Sequence, residues 1–244
     1  MPDHYHYHFI PTPQAKTLVD IASLRSCLRL QCLVLTGCSA LEALPPLPPS
    51  LTTIDASWCR SLSDIASLAH CRALTSLDLV SCPALHSVHP LYSCTTLQYL
   101  NVRSCTSLRS LEPLQGCAAT LSTLDLSWCT ALTSLGLSSA PAIRSLHAAG
   151  CFHLADLSFL CTSSQLKTLD ITSCSALKTL APLSHCSRLS CLTAAGCTAL
   201  QDVNALREGP AASLTELCLR GCCLLRDLEP LACCVSLRQL DVSW

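Results

Sequence analysis

Asp125, His147 and Asp170 are 22 and 23 residues apart, and each sits between two apolar neighbours. If the chain places the three in register, two carboxylates flank an imidazole. That arrangement favours the charged imidazolium and has the donor types of a divalent-cation site. A solvated charge cluster is the simpler reading, and no metal is assigned. A second histidine set, His4, His6 and His8, alternates with Tyr5, Tyr7 and Phe9. As a strand it would carry three imidazoles on one side and three rings on the other. It reads as a cap strand or a tail, with metal chelation as the chemical alternative.

Cysteine is the other reactive type. There are 21, an odd number, and no two are spaced as Cys-x-x-Cys. That spacing rules out zinc knuckles and thioredoxin-like pairs. Disulfide scaffolds are usually short and secreted, whereas the first residues, MPDHYHYHFIPTPQ, lack a basic segment followed by an apolar one. Buried thiols in a reducing, cytoplasmic setting are therefore expected.

Motifs of catalysis are absent: there is no G-x-S-x-G, no phosphate-binding glycine loop, no G-x-G-x-x-G and no H-E-x-x-H. The sequence points to a non-enzymatic protein that needs no cofactor. Only 13% of residues are charged and the net charge is -1, so no basic stripe argues for nucleic acid and no polybasic patch for a membrane surface. Half of the residues are hydrophobic but 4% are aromatic, so the core must consist of Leu, Ala, Cys and Val in thin layers.

The elements that would position these residues are repeats. Units begin at Leu30, Leu51, Leu74, Leu97, Leu121, Ile143, Leu166, Leu189, Leu214 and Leu237, in steps of 21, 23, 23, 24, 22, 23, 23, 25 and 23 residues. The template is LSTLDLSWCTAL at 121–132, or LxxLxLxxCxxL. In all nine complete units the ninth residue is cysteine: Cys38, Cys59, Cys82, Cys105, Cys129, Cys151, Cys174, Cys197 and Cys222. A second column holds Cys71, Cys94, Cys117, Cys186 and Cys234, with Cys27 in a half unit that begins near Leu18. Leucines at the fourth and sixth positions read as a half-buried strand. Those at the twelfth, fifteenth and eighteenth turn inward on the return. No such unit buries its leucines alone, so stacking is obligatory.

On these residues the chain resembles the leucine-rich repeat family, in particular its cysteine-containing members, though with shorter units. The resemblance covers about residues 18–244 and implies an α/β-type repeat solenoid. The expected fold is a right-handed arc with a parallel sheet on the concave face. Five units place a proline before the last leucine (Pro46, Pro90, Pro113, Pro182 and Pro230); proline suits a short 3₁₀ or extended return arm but not a long helix. The expected organisation is an N-terminal extension or cap at 1–17, then a solenoid at 18–244 with a half unit, nine full units and a partial tenth.

Within each strand the third, fifth and seventh positions face away from the leucines, toward the concave side. The fifth gives Val34, Asp55, Asp78, Asn101, Asp125, His147, Asp170, Thr193, Cys218 and Asp241, an acidic column with one histidine between two aspartates. Tyr99 and Glu216 come from the third position, Arg103 and Arg220 from the seventh, and Trp58, Trp128 and Trp244 from the eighth, at the strand's exit. Aromatic residues and arginine are favoured interface anchors. The expected strip for a basic or polar protein partner is Asp55, Trp58, Asp78, Tyr99, Asn101, Arg103, Asp125, Trp128, His147 and Asp170. The competing reading is that Asp merely keeps an exposed strand soluble.

The rhythm breaks at 45–50 (PPLPPS), 135–142 (LGLSSAPA) and 207–213 (REGPAAS), each a binding loop or tolerated drift. It also stops at Trp244, one strand into a unit, where Leu240 and Val242 lack a return arm. Either the repeats continue in a longer protein or another surface covers that coil. Function is expected to be a non-catalytic scaffold that holds a protein partner. Two alternatives stay open: a substrate-recognition subunit of an F-box-type ubiquitin ligase, implied by the resemblance, and a structural subunit of a cytoskeletal or ribonucleoprotein assembly.

Overall fold

The computed structural model describes residues 17–243. The histidines at 4, 6 and 8 and Trp244 lie outside the described residues. Ten three-residue strands form one open parallel sheet in sequence order: β1 Cys32–Val34, β2 Thr53–Asp55, β3 Ser76–Asp78, β4 Tyr99–Asn101, β5 Thr123–Asp125, β6 Ser145–His147, β7 Thr168–Asp170, β8 Cys191–Thr193, β9 Glu216–Cys218 and β10 Gln239–Asp241. The fourth-position residues stack directly, Leu33 on Ile54, then Leu77, Leu100, Leu124, Leu146, Leu169, Leu192, Leu217 and Leu240. The strand register therefore follows the spacing of the repeats. One core runs from Ile21 to Cys234. In β2 to β8 the middle residue is buried and its neighbours are half-buried. In β10 all three residues are exposed.

The return arms are short 3₁₀ turns, such as His89–Ser93, Glu112–Cys117, Ala181–His185 and Glu229–Cys233, each with its proline in the first two positions. Their entry is fixed by a column that the leucine pattern does not reveal. At the fourteenth position Asp64, Ser87, Ser110, Ser134, Asp156, Thr179, Asp202 and Asp227 accept the N–H two residues on, at 2.7–3.2 Å. A short polar side chain competes well for a nearby amide and so starts a turn; a 3₁₀ turn follows in seven of the eight coils, that of Ser134 being the exception. The first complete unit has Ala43 at this position and pairs with Asp64 of the next coil through an isolated bridge instead. Its PPLPPS segment returns without a 3₁₀ turn.

The coil between β5 and β6 also lacks a 3₁₀ turn, and its neighbours repair the gap. Gln115 Oε1 accepts both the N–H and the hydroxyl of Ser138 at 2.9 Å. Phe159 replaces the usual proline in the next coil and is buried to 3% exposure. Ser163, in the second cysteine column, donates to the Ala140 carbonyl at 2.8 Å.

The main cysteine column closes each bend from within. From Cys59 to Cys222, eight thiols donate to the sixth-position carbonyl of the preceding coil at 3.1–3.3 Å. The sulfur fills the core as a small apolar group while its weak donor reaches a second lone pair of that carbonyl. Burial pushes these thiols up, Cys59, Cys105, Cys151 and Cys197 to about 12. All 21 cysteines are free thiols, 14 of them buried.

Candidate functional site

The acidic column has a structural job as well as a charge. In six coils the fifth-position Oδ1 accepts the backbone N–H two residues on, at 2.9–3.1 Å: Asp55 to Ser57, Asp78 to Val80, Asn101 to Arg103, Asp125 to Ser127, Asp170 to Thr172 and Asp241 to Ser243. Each side chain thus caps the amide that the strand frees as it leaves the sheet. This accounts for Asp and Asn together. The bend bond alone does not account for the charged residue in five of the six, because an amide oxygen makes the same bond; at Asp55 and Asp78 the second oxygen also accepts from a neighbouring coil, from Thr36 and Asn101.

Asp78 carries the strongest electrostatic consequence. It is half-buried at the centre of β2 to β5. Burial, with Asp55 and Asp125 on the flanking strands, pushes its carboxyl up from 3.8 to about 6. The amide of Val80 and the Nδ2–H of Asn101, 3.3 Å away, oppose that rise. Asn101 Nδ2 also donates to the Tyr99 hydroxyl at 3.3 Å, and burial and the charge of Asp78 raise the phenol above its ordinary range. Asp55 is held more fully: Thr36 donates to Oδ2 at 2.8 Å, and the Ser57 hydroxyl to Oδ1 at 2.5 Å.

Asp125, His147 and Asp170 do lie at successive register positions of β5, β6 and β7. Their hydrogen bonds are made to other groups. His147 Nε2 is 2.9 Å from the Ser145 hydroxyl, which accepts from Thr168 at 2.7 Å. The two aspartates direct Oδ1 to the bends of their own coils. Among the described residues no group of three or more His, Cys, Asp or Glu side chains could hold a metal ion. The imidazole nitrogen thus has a serine hydroxyl as its partner, and each aspartate has the bend amide of its own coil.

The exit edge is where the site departs most from its sequence reading. In all nine complete units the eighth residue has a positive φ, between 56° and 78°: glycine at 37, 150, 196 and 221, serine at 81, 104 and 173, tryptophan at 58 and 128. For a residue with a Cβ this conformation costs roughly 1–2 kcal/mol, and for a bulky one it is a true outlier. The tryptophans are also the exposed ones, at 47% and 44%. Trp128 lies over the next coil: a Cβ on Gly150 would be 2.7 Å from its Cε3. Its ring meets Phe152 edge-on, with centroids 6.0 Å apart. The preceding serines, Ser57 and Ser127, are among the few buried polar residues. Arg103 stands exposed between the two tryptophan coils.

The fourteenth-position caps and Phe159 were missed by sequence reasoning. A signal for the first was available, since that position holds only Asp, Ser or Thr in eight successive units.

A family model described as a leucine-rich repeat matches residues 118–139. No curated protein matches the chain. Among solved structures it is similar to internalin C2 of Listeria monocytogenes, with 19% identity over 80% of this chain and 81% of that one, and a TM-score of 0.61. It is similar to an internalin F of the same organism, with 19% identity, 93% and 78% coverage, and a TM-score of 0.55. It also resembles the leucine-rich repeat domain of the type III effector XopL, with 22% identity, 83% and 70% coverage, and a TM-score of 0.58. The fold is that of a leucine-rich repeat solenoid. No helix among the described residues is long and apolar enough to cross a membrane.

Proposed function

We propose that this leucine-rich repeat solenoid is a non-catalytic scaffold that holds a basic segment of a protein partner along its concave face, on β2 to β7. The observation that carries the reading is the balance of charge there. Asp55, Asp78, Asp125 and Asp170 stand on the column against one guanidinium, Arg103. Asp78 keeps an ionisable group where burial opposes it. An amide would cap the same bend, as Asn101 does, so the turn alone does not require the charge. An open face of this kind suits a macromolecule. Two clefts, of about 460 and 310 Å³, lie elsewhere, beside Val19–Pro45 and at the missing arm between Ser134 and Phe159. Fourteen buried free thiols fit a reducing compartment.

Panning a random peptide library against the chain in reducing buffer tests this. Enriched peptides should be rich in Lys and Arg, and should weaken with salt. They should lose affinity for Asp125→Asn/Asp170→Asn, which keeps both bend caps, and not for Glu112→Gln on the return arms. Neutral peptides, or binding indifferent to the concave substitutions, would overturn the proposal.

A further inference from the structure

Two coils carry the same tetrad at the exit edge, Asp55-Ala-Ser-Trp58 and Asp125-Leu-Ser-Trp128. The copies agree in detail. In each, the aspartate caps the serine amide at 2.9 Å, the serine is buried, and the tryptophan is exposed with φ of 63° or 65°. The turn itself does not ask for tryptophan. Four other coils make it with glycine, the residue suited to that conformation, and three with serine, a small polar residue. Burial does not ask for it either, since nearly half of each side chain is in water. At Trp128 one indole face is laid on Gly150 and braced by Phe152, so the ring is held in place with its other side open.

We propose that the two tetrads are paired subsites for cationic side chains, each taking one Arg or Lys of an extended basic segment against an indole and its neighbouring carboxylate. This deepens the proposed function and rests on its acidic concave face. The chemistry follows from charge: β2 to β5 carry Asp55, Asp78 and Asp125 against Arg103 alone on the columns that face the partner, and an indole face is the best aromatic platform for a cation. Spacing sets the pattern. The tetrads are three strands apart, about 14 Å at the usual strand separation, and four residues of an extended chain span about the same distance with both side chains on one side. The segment therefore lies across the strands with cations at i and i+4, and Ser81 and Ser104 leave room between the rings.

Fluorescence anisotropy with synthetic peptides tests this on the full chain. The probes are equal-charge peptides in a Gly/Ser background with two arginines at i and i+2, i and i+4, or i and i+8. The i, i+4 peptide should bind tightest. Trp58→Gly and Trp128→Gly should each weaken it about two- to five-fold, the worth of an exposed cation–π contact, and the double variant should lose the spacing preference. Because glycine is native to the same turn, both variants should keep a thermal midpoint within a few degrees of the parent. Equal affinity for all spacings, or unchanged affinity in the glycine variants, refutes the subsites and leaves the acidic strip standing. A large fall in midpoint assigns the rings to the fold instead. If none of the arginine peptides binds, both the subsites and the basic partner fall.

Discussion

Replacing Asp78 by Asn should make the protein more stable at neutral pH and slightly less stable in acid. In the unfolded chain an aspartate titrates near 3.9; in the fold Asp78 titrates near 6, because burial and the flanking Asp55 and Asp125 disfavour its charge. Below about pH 4 both states hold the proton and no penalty exists. Between about 4 and 6 the folded state holds a proton that the unfolded state has released, so stability falls as pH rises. Above 6 the full penalty stands. Two pH units correspond to about 3 kcal/mol, which solvent on the open concave side reduces to about 2. Asn keeps an oxygen for the Val80 amide, now 3.0 Å from Oδ1, but has no second acceptor for Asn101 Nδ2, a loss of about 1 kcal/mol. The expected net gain at pH 8 is about 1 kcal/mol, or about 2–4 °C in midpoint for a chain of this size. Thermal unfolding of parent and variant from pH 3.5 to 8, in reducing buffer, reads it directly. Equal stability at pH 8, or the same gain at pH 3.5, would refute the argument that a buried charge is retained here.

Gly116→Ala should be among the most damaging small substitutions, costing about 3 kcal/mol or more, because its Cβ would strike the backbone carbonyl of Tyr92 in the preceding arm. Gly221→Ala, with positive φ but only ordinary contacts at 3.8 Å with the Gly196 backbone, should cost only about 1–2 kcal/mol, and chemical denaturation separates the two. Cys129→Ala should cost about 1–2 kcal/mol by the same measurement: the Val102 carbonyl loses the thiol at 3.1 Å but keeps the Cys105 N–H at 3.0 Å. Cys38→Ala should cost less, since Cys38 has no coil of this series before it. Phe159→Ala should cost about 3–5 kcal/mol, which would mark it as the repair of the missing arm. Timed alkylation at pH 8 with mass spectrometry should label the exposed Cys27, Cys32, Cys161, Cys223 and Cys233 first. The column from Cys59 to Cys222 should wait for unfolding, because burial withholds both access and the thiolate.

Much of the architecture was legible in one dimension. The leucines at the fourth and sixth positions and the cysteine at the ninth recur because every coil presents the next with the same environment, so one burial rule is written ten times. Pro90, Pro113, Pro182 and Pro230 announced short arms for a local reason, a fixed φ and a missing donor. The concave column was equally legible as a set of residues, since strand alternation needs only the parity of the position. Its acidity was therefore on view, but not what its oxygens do. Asp125 and Asp170 do neighbour His147 across the sheet, but each also accepts from an amide two residues along its own chain, and parity alone carries no sign of that bond.

The sequence by itself determined the period, the stacking register and the identity of the core, because these depend on spacing and apolarity alone. Only the tertiary structure decided three further matters. It showed that the eighth position is left-handed in every complete coil, a property that glycine, serine and tryptophan do not share chemically and that the turn imposes on all of them. It showed where each thiol donates, since the accepting carbonyl lies in the preceding coil, 24 to 28 residues earlier in the chain. And it set the titration of Asp78, which depends on how much water the neighbouring coils exclude and on carboxylates one strand away on either side. Each of these is a relation between coils, and spacing along the chain carries no record of it.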